Sequence, residues 1–288
     1  VGTMTSSTSI TIMFTDYDAF WTWFFILHAV CTALYGMIFW WMFKSAEQKG
    51  EQPKDCLLLA TCTISTIHSH ISCIGVVIGF FVDGLYKPEN YMISPPGVIA
   101  VVWMLWSSYM LTDLVGHVVC FYIKPIPYRL DVICHHTFAY TTLYLLDYPT
   151  PIYGWLILCA PLVTEFSTIF MNFRWFAKHY HYSRAIQHRL NTVFVVTWYT
   201  VRLPAILALL VYLILFWHEI YANTPRRVAV CGTVLIISIN LLHVVWGYLF
   251  TQKVIKTNKK GNAQMALNEN LTTHIDSSDT TQQVRMDD

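Results

Sequence analysis

Long apolar runs joined by short polar connections limit what this chain can fold into. A helix needs about 20 apolar residues to cross the hydrocarbon core of a bilayer. The runs that meet or approach this length are Phe20–Phe43, Leu57–Val82, Val98–Ile123, Tyr128–Tyr148, Ile152–Phe173, Asn191–Trp217 and Val228–Phe250. The fourth is the weakest, because its apolar part begins after Asp131 and contains His135 and His136. In lipid, backbone N–H and C=O groups must be paired within the protein, so each run reads as a helix. Only 12% of residues are charged, where a soluble domain carries about a quarter. The expected fold is an all-α polytopic membrane protein with seven transmembrane helices.

The connections settle whether the fourth run crosses. Lys44, Lys49 and Lys54 follow the first run, Lys124 and Arg129 the third, and Arg174, Lys178, Arg184 and Arg189 the fifth. Lys253, Lys256, Lys259 and Lys260 follow the seventh, whereas the alternate connections hold only Lys87, Arg226 and Arg227. That is 13 basic residues against 3. Removing the fourth crossing would destroy the asymmetry. Basic loops stay cytosolic, so the N-terminus is expected in the lumen or outside and the C-terminus in the cytosol. Residues 1–19 contain no Lys or Arg, so no cleavable signal segment is expected there.

A net charge of +1 offers no concentrated basic surface for nucleic acid. Seven of the eight cysteines lie inside apolar runs and Cys56 at the edge of one, with no metal-type spacing. They read as small packing residues, and neither a metal nor a cofactor is expected.

Ionisable residues inside a bilayer are costly and face a bundle interior or cavity. His68 lies in the second run, and Asp113 and His117, four apart on one helix face, lie in the third. Asp131 stands one turn before His135, and His136 follows directly. Glu165 and Asn172 share a face of the fifth run, with Ser167 and Arg174 nearby. Arg202 sits beside Pro204 in the sixth, where Asp113 or Glu165 is the expected partner. Lone histidines such as His70, His117 and His243 read as interhelical packing, and Arg174 as a residue that reaches toward the cytosolic interface. The adjacent pair is harder to absorb structurally. Neighbouring imidazoles point about 100° apart on a helix, so one can face a cavity while the other is held by a partner.

Read together, His68, Ser108-Tyr109-x-x-x-Asp113, Asp131-x-x-x-His135-His136, Glu165-x-Ser167-x-x-Phe170-x-Asn172-x-Arg174-Trp175-Phe176 and Val201-Arg202 carry a family pattern. The chain resembles a TLC-domain protein over about residues 55–250, nearest to the subgroup called TLC domain-containing protein four. One departure is Ile169, where that subgroup often has proline. The resemblance implies a helical bundle around a lipid-accessible cavity, with His135, His136 and Glu165 near it. With the charge asymmetry, it divides the chain into a short lumenal or exoplasmic N-terminus (1–19), a first transmembrane helix with a basic cytosolic loop (20–54) and a six-helix TLC domain (55–250), followed by a cytosolic tail (251–288) whose polar composition after about Thr257 reads as disordered.

The resemblance implies a part in lipid homeostasis in the endoplasmic reticulum or a related endomembrane, with the plasma membrane as the alternative, and a membrane lipid as partner. Ceramide synthases share the domain and use the paired histidines to transfer an acyl group from acyl-CoA to a sphingoid base. That acyltransferase reading is the alternative, with His135 and His136 catalytic. Those enzymes also carry a His-Asp pair just before the position of Glu165, where this chain reads Leu158-Cys159-Ala160-Pro161-Leu162. A seven-helix receptor is a further alternative. However, the third run ends Val118-Val119-Cys120-Phe121-Tyr122 with no acidic-Arg-Tyr element, and the last ends Trp246-Gly247-Tyr248 with no Asn-Pro-x-x-Tyr.

The charge asymmetry generates a topology test. A glycosylation acceptor fused after Asp288 stays unmodified, and Asn270, in the sequon Asn270-Leu271-Thr272, carries no glycan in cells. Glycan on Asn270, detected by an endoglycosidase shift, would reverse the orientation.

Overall fold

A computed structural model describes residues 17–82, 97–124, 126, 130–147, 154–223 and 225–283. The start of the Thr- and Ser-rich N-terminus, Lys87, Arg129 and residues 284–288 lie outside the described residues. The helices are α1 (Tyr17–Gln48), α2 (Pro53–Val82), α3 (Gly97–Ile123), α4 (Leu130–Asp147), α5 (Gly154–His179), α6 (Arg184–Thr197), a π-turn (Trp198–Arg202), α7 (Leu203–Leu215), α8 (Trp217–Asn223) and α9 (Arg226–Gln283). Among the described residues no strand occurs. Four segments are long and apolar enough to cross a membrane: Phe25–Gln48, Pro53–Val82, Arg184–Leu215 and Arg226–Lys256. Apolar runs three, four and five are helical as well, as α3, α4 and α5. All eight cysteines are free.

Local chemistry explains the helix ends. Gly50 takes φ +79, and the Glu51 N–H reaches back to the Ala46 carbonyl at 3.2 Å, which closes α1 with a left-handed cap. Pro53 then opens α2, where a missing N–H costs nothing. Within Arg184–Leu215, Pro204 would press its ring on the carbonyl one turn before it. The chain widens into a π-turn at that point, with the Leu203 N–H bonded to the Trp198 carbonyl.

Val1–Val244 forms one compact unit and Val245–Asp288 another. In the first, α2 is central and packs against α1, α3 and α5. One stripe of α1 (Tyr35, Phe39, Phe43 and Ala46) is buried, while Leu34, Met37 and Trp41 point outward. Outward-facing Ile74, Phe81, Ile214 and Leu241 extend this apolar exterior, and His70 of α2 is exposed with them. Inside, an apolar cluster that includes Leu57, Ile64 and Leu162 is joined by buried polar side chains such as His68 and Asp113. In the second unit, the stretch 257–283, read from its composition as disordered, carries helical backbone. No proline interrupts it, and Ala263, Met265, Ala266 and Leu267 favour helix.

One end of the first unit gathers three connections. Glu47, near the end of α1, accepts bonds from Lys44 and from Lys124, just beyond α3. Glu51 stands 3.6 Å from His179 at the end of α5. The Glu47 carboxylate holds the Lys124 ammonium above its ordinary pKa.

Lipid tails are as apolar as leucine, so close packing must hold these helices together. A Cβ on Gly75 would meet Val102 Cγ2 at 2.1 Å, and one on Gly116 would meet the Phe39 ring at 2.6 Å. Gly75→Ala should therefore destabilise the bundle by about 1–3 kcal/mol through overpacking, despite the gain of about 1 kcal/mol in helix propensity. Val102→Ala should recover most of the loss. Thermal unfolding in detergent measures both, and a Gly75→Ala protein as stable as wild type would contradict the close approach of α2 and α3.

Candidate functional site

The interior polar groups lie on faces that pack together. On α2, Ser65, His68, Ser69 and Ser72 are buried along one stripe that continues into Gly75 and Gly79. Small residues on that stripe let α5 approach, and α5 brings its own polar face. Ser69 Oγ donates to Glu165 Oε2 at 3.0 Å, and Trp106 Nε1 on α3 donates to Oε1 at 3.4 Å. Both oxygens of a carboxylate that is 7% exposed are thus engaged. Two turns along α5, Asn172 Nδ2 donates to Ser65 Oγ at 3.0 Å.

Asp113, 3% exposed on α3, is flanked by two imidazoles. His117 Nδ1 lies 3.5 Å and His136 Nδ1 3.3 Å from Asp113 Oδ2. The His117 Nδ1–H donates to the Asp113 carbonyl at 2.9 Å, so His136 is the imidazole whose Nδ1 is left to face the carboxylate. The His136 contact is not aligned as a hydrogen bond, and Asp113 Oδ1 has no partner among the described residues. Tyr109 sits between His136, at 5.9 Å between ring centroids, and His68, which stacks on it at 4.5 Å. His68 Nε2 lies 3.0 Å from Ser72 Oγ.

The neighbouring histidines face different ways. His135 meets His243 of α9 at 5.0 Å, and His243 meets the edge of Trp198 at 6.4 Å. Trp198 in turn lies 4.5 Å under the Arg202 guanidinium. The expected carboxylate partner of Arg202 is replaced by neutral oxygens of α5. Nε donates to Ser167 Oγ at 2.8 Å, and Nη2 to the Thr164 carbonyl at 2.9 Å and to Thr168 Oγ1 at 2.6 Å. The π-turn rotates Arg202 onto this face of α5.

Asp113, His135, His136 and Arg202 are thus joined in one chain of contacts with His243 and Trp198, while Glu165 and His68 lie alongside on α5 and α2. Arg174 is half-buried, with its guanidinium 4.8 Å from the Phe194 ring. Asp131 is half-buried in the first turn of α4. Among the described residues no group of three His, Cys, Asp or Glu side chains is set to hold a metal ion.

His28 of α1 was not evident from the sequence. It is buried, with Nδ1 2.9 Å from Ser108 Oγ and 3.1 Å from Ser107 Oγ, and Nε2 3.2 Å from Tyr140 OH. A lone histidine in a first span has no spacing partner to mark it. The serines of α2 were missed for a similar reason, since their partners lie about a hundred positions away.

An apolar exterior, long helices and an inner row of acid, imidazole and guanidinium groups define an integral membrane protein with ionisable side chains inside its bundle. A family model for the TLC domain matches residues 59–252, and the chain belongs to the TLC-domain family. No curated protein and no solved structure matches it.

The Arg202 clamp makes a measurable claim. Thr168→Val, nearly equal in volume, strips an acceptor from a buried cation and should cost about 1–2 kcal/mol. In an Arg202→Met background the same change should cost almost nothing. Equal costs in the two backgrounds, measured by unfolding in micelles, would contradict the clamp.

Proposed function

We propose that this TLC-domain protein spans an endomembrane seven times, binds a membrane lipid within its bundle and acts in lipid homeostasis. The carrying observation is the polar row of Asp113, His136, His135 and Arg202 inside an exterior of apolar side chains. Ionisable groups at membrane depth are functional by default, because each costs a few kcal/mol to insert. The proposal includes the subgroup of TLC domain-containing protein four and a location in the endoplasmic reticulum or a related membrane. A cytosolic C-terminus belongs to it too. Glu47, Lys124, Glu51 and His179 support it by drawing three of the basic connections to one end.

The alternative is an acyltransferase of ceramide-synthase type, favoured by the contact of His136 with Asp113. In that reaction the imidazole takes the proton from a sphingoid amine as its nitrogen attacks the acyl-CoA carbonyl. The thioester C–S bond breaks, and CoA leaves as the thiol. Asp113 would orient the ring. The Cys159-Ala160 stretch, without a His-Asp pair, weighs against this route. The receptor reading has no comparable observation in its favour.

The test is rescue of a null cell line, read by its lipid profile. His135→Ala, His136→Ala and Glu165→Gln are expressed singly, with abundance measured so that instability is not mistaken for lost function. At least one histidine variant should accumulate normally and fail to rescue. Full rescue by the double histidine variant at normal abundance would reduce the pair to helix packing and leave the acyltransferase without its catalyst.

A further inference from the structure

Arg202 is a permanent cation, 6% exposed, and among the described residues no carboxylate lies within ion-pair distance of it. Its three bonds go to two hydroxyls and a carbonyl, all neutral, and all leave from Nε and Nη2. The two N–H groups of Nη1 carry no bond among the described residues. Glu165, on the same turn of α5 as Thr164, has both oxygens occupied by Ser69 and Trp106. The positive charge is held in place with no carboxylate bonded to it among the described residues.

The groups around it share this bias. Trp198 covers the guanidinium face, and His243 of α9 meets the Trp198 edge. Asn240 lies one turn before His243 on the same face of α9. It is 5% exposed, and its Nδ2 has no partner among the described residues. Unused donors thus lie on Arg202 and, one turn from the His243 that meets Trp198, on Asn240. α9 meets its neighbours through side chains, such as Ile236 and Ala229 with Leu209, Tyr212 and Leu213, rather than by the close backbone approach seen around α2.

We propose that Arg202 and Asn240 form an anion-binding site between the π-turn and α9, which takes the carboxylate or phosphate of a membrane amphiphile. This rests on the lipid-binding reading above and names the chemical class of the headgroup. A charged oxygen group would accept from Nη1 and from Asn240 Nδ2, with its chain among the apolar side chains of α7 and α9. Bonds to a charged acceptor are about twice as strong as neutral ones, so the site favours an anion over an alcohol of equal chain length.

The test uses the full chain in phosphatidylcholine nanodiscs with three oleoyl probes: oleate, oleoyl lysophosphatidate and oleyl alcohol. Oleate or lysophosphatidate should bind at least about tenfold tighter than the alcohol, and which of the two is preferred identifies the headgroup. Arg202→Gln should abolish that preference. Asn240→Leu removes a side chain whose amide N–H groups have no partner here, so the fold should tolerate it, and it should weaken anion binding several-fold. Equal binding of all three probes would overturn the anion site and leave the lipid-binding reading standing. Anion binding that survives both substitutions in folded protein would overturn the site as well. Binding of none of the probes would overturn both readings.

Discussion

The fold depends on one constraint: a polar group at membrane depth must find its partner inside the protein. Ser65, Ser69 and Ser72 meet that demand along a single face of α2. Each is small enough to let a neighbouring helix come close and carries a hydroxyl to satisfy it. Ser69 takes one oxygen of Glu165 and Ser65 the amide of Asn172, so α5 is seated against α2 in register. Where the stripe turns to glycine at Gly75, α3 comes close instead. The hydroxyls and glycines of one helix therefore set the position of two others.

The same constraint organises the chemistry. Each of three charged side chains inside the bundle meets a different type of partner. Glu165 is bound by a hydroxyl and an indole, Asp113 is flanked by imidazoles, and Arg202 is clamped by the hydroxyls and carbonyl of α5. His135 and His136 stand between the carboxylate and guanidinium ends of the row. Their ring planes differ by 64°, which lets one address Asp113 and the other His243.

Much of this was legible in the sequence. The apolar runs marked the helices, and the rarity of polar and ionisable side chains inside them marked Asp113, Glu165, Asn172 and Arg202 as inward-facing, where burial now finds them. Partners were far less legible. Arg202 suggested a carboxylate because opposite charge is the obvious complement, yet the π-turn forced by Pro204 aims it at Ser167 and Thr168. Which of His135 and His136 would meet Asp113 could not be read either, because it depends on how α4 is rotated against α3. His28 went unnoticed because its partners, Ser107, Ser108 and Tyr140, lie on other helices. Pairing across a bundle depends on rotations and approaches that no local spacing encodes.

The seating of α5 on α2 is the central claim, and a cross-link tests it most directly. With the native cysteines replaced, Ser65→Cys and Asn172→Cys are introduced together, and a control pairs Asn172→Cys with Ile67→Cys on the exposed side of α2. Mild oxidation in native membranes should close the Ser65/Asn172 pair within the chain and leave the control open, as the 3.0 Å contact requires. Cross-linking of the Ile67 control with none of the Ser65 pair would contradict the account, because it would turn the serine face of α2 away from α5.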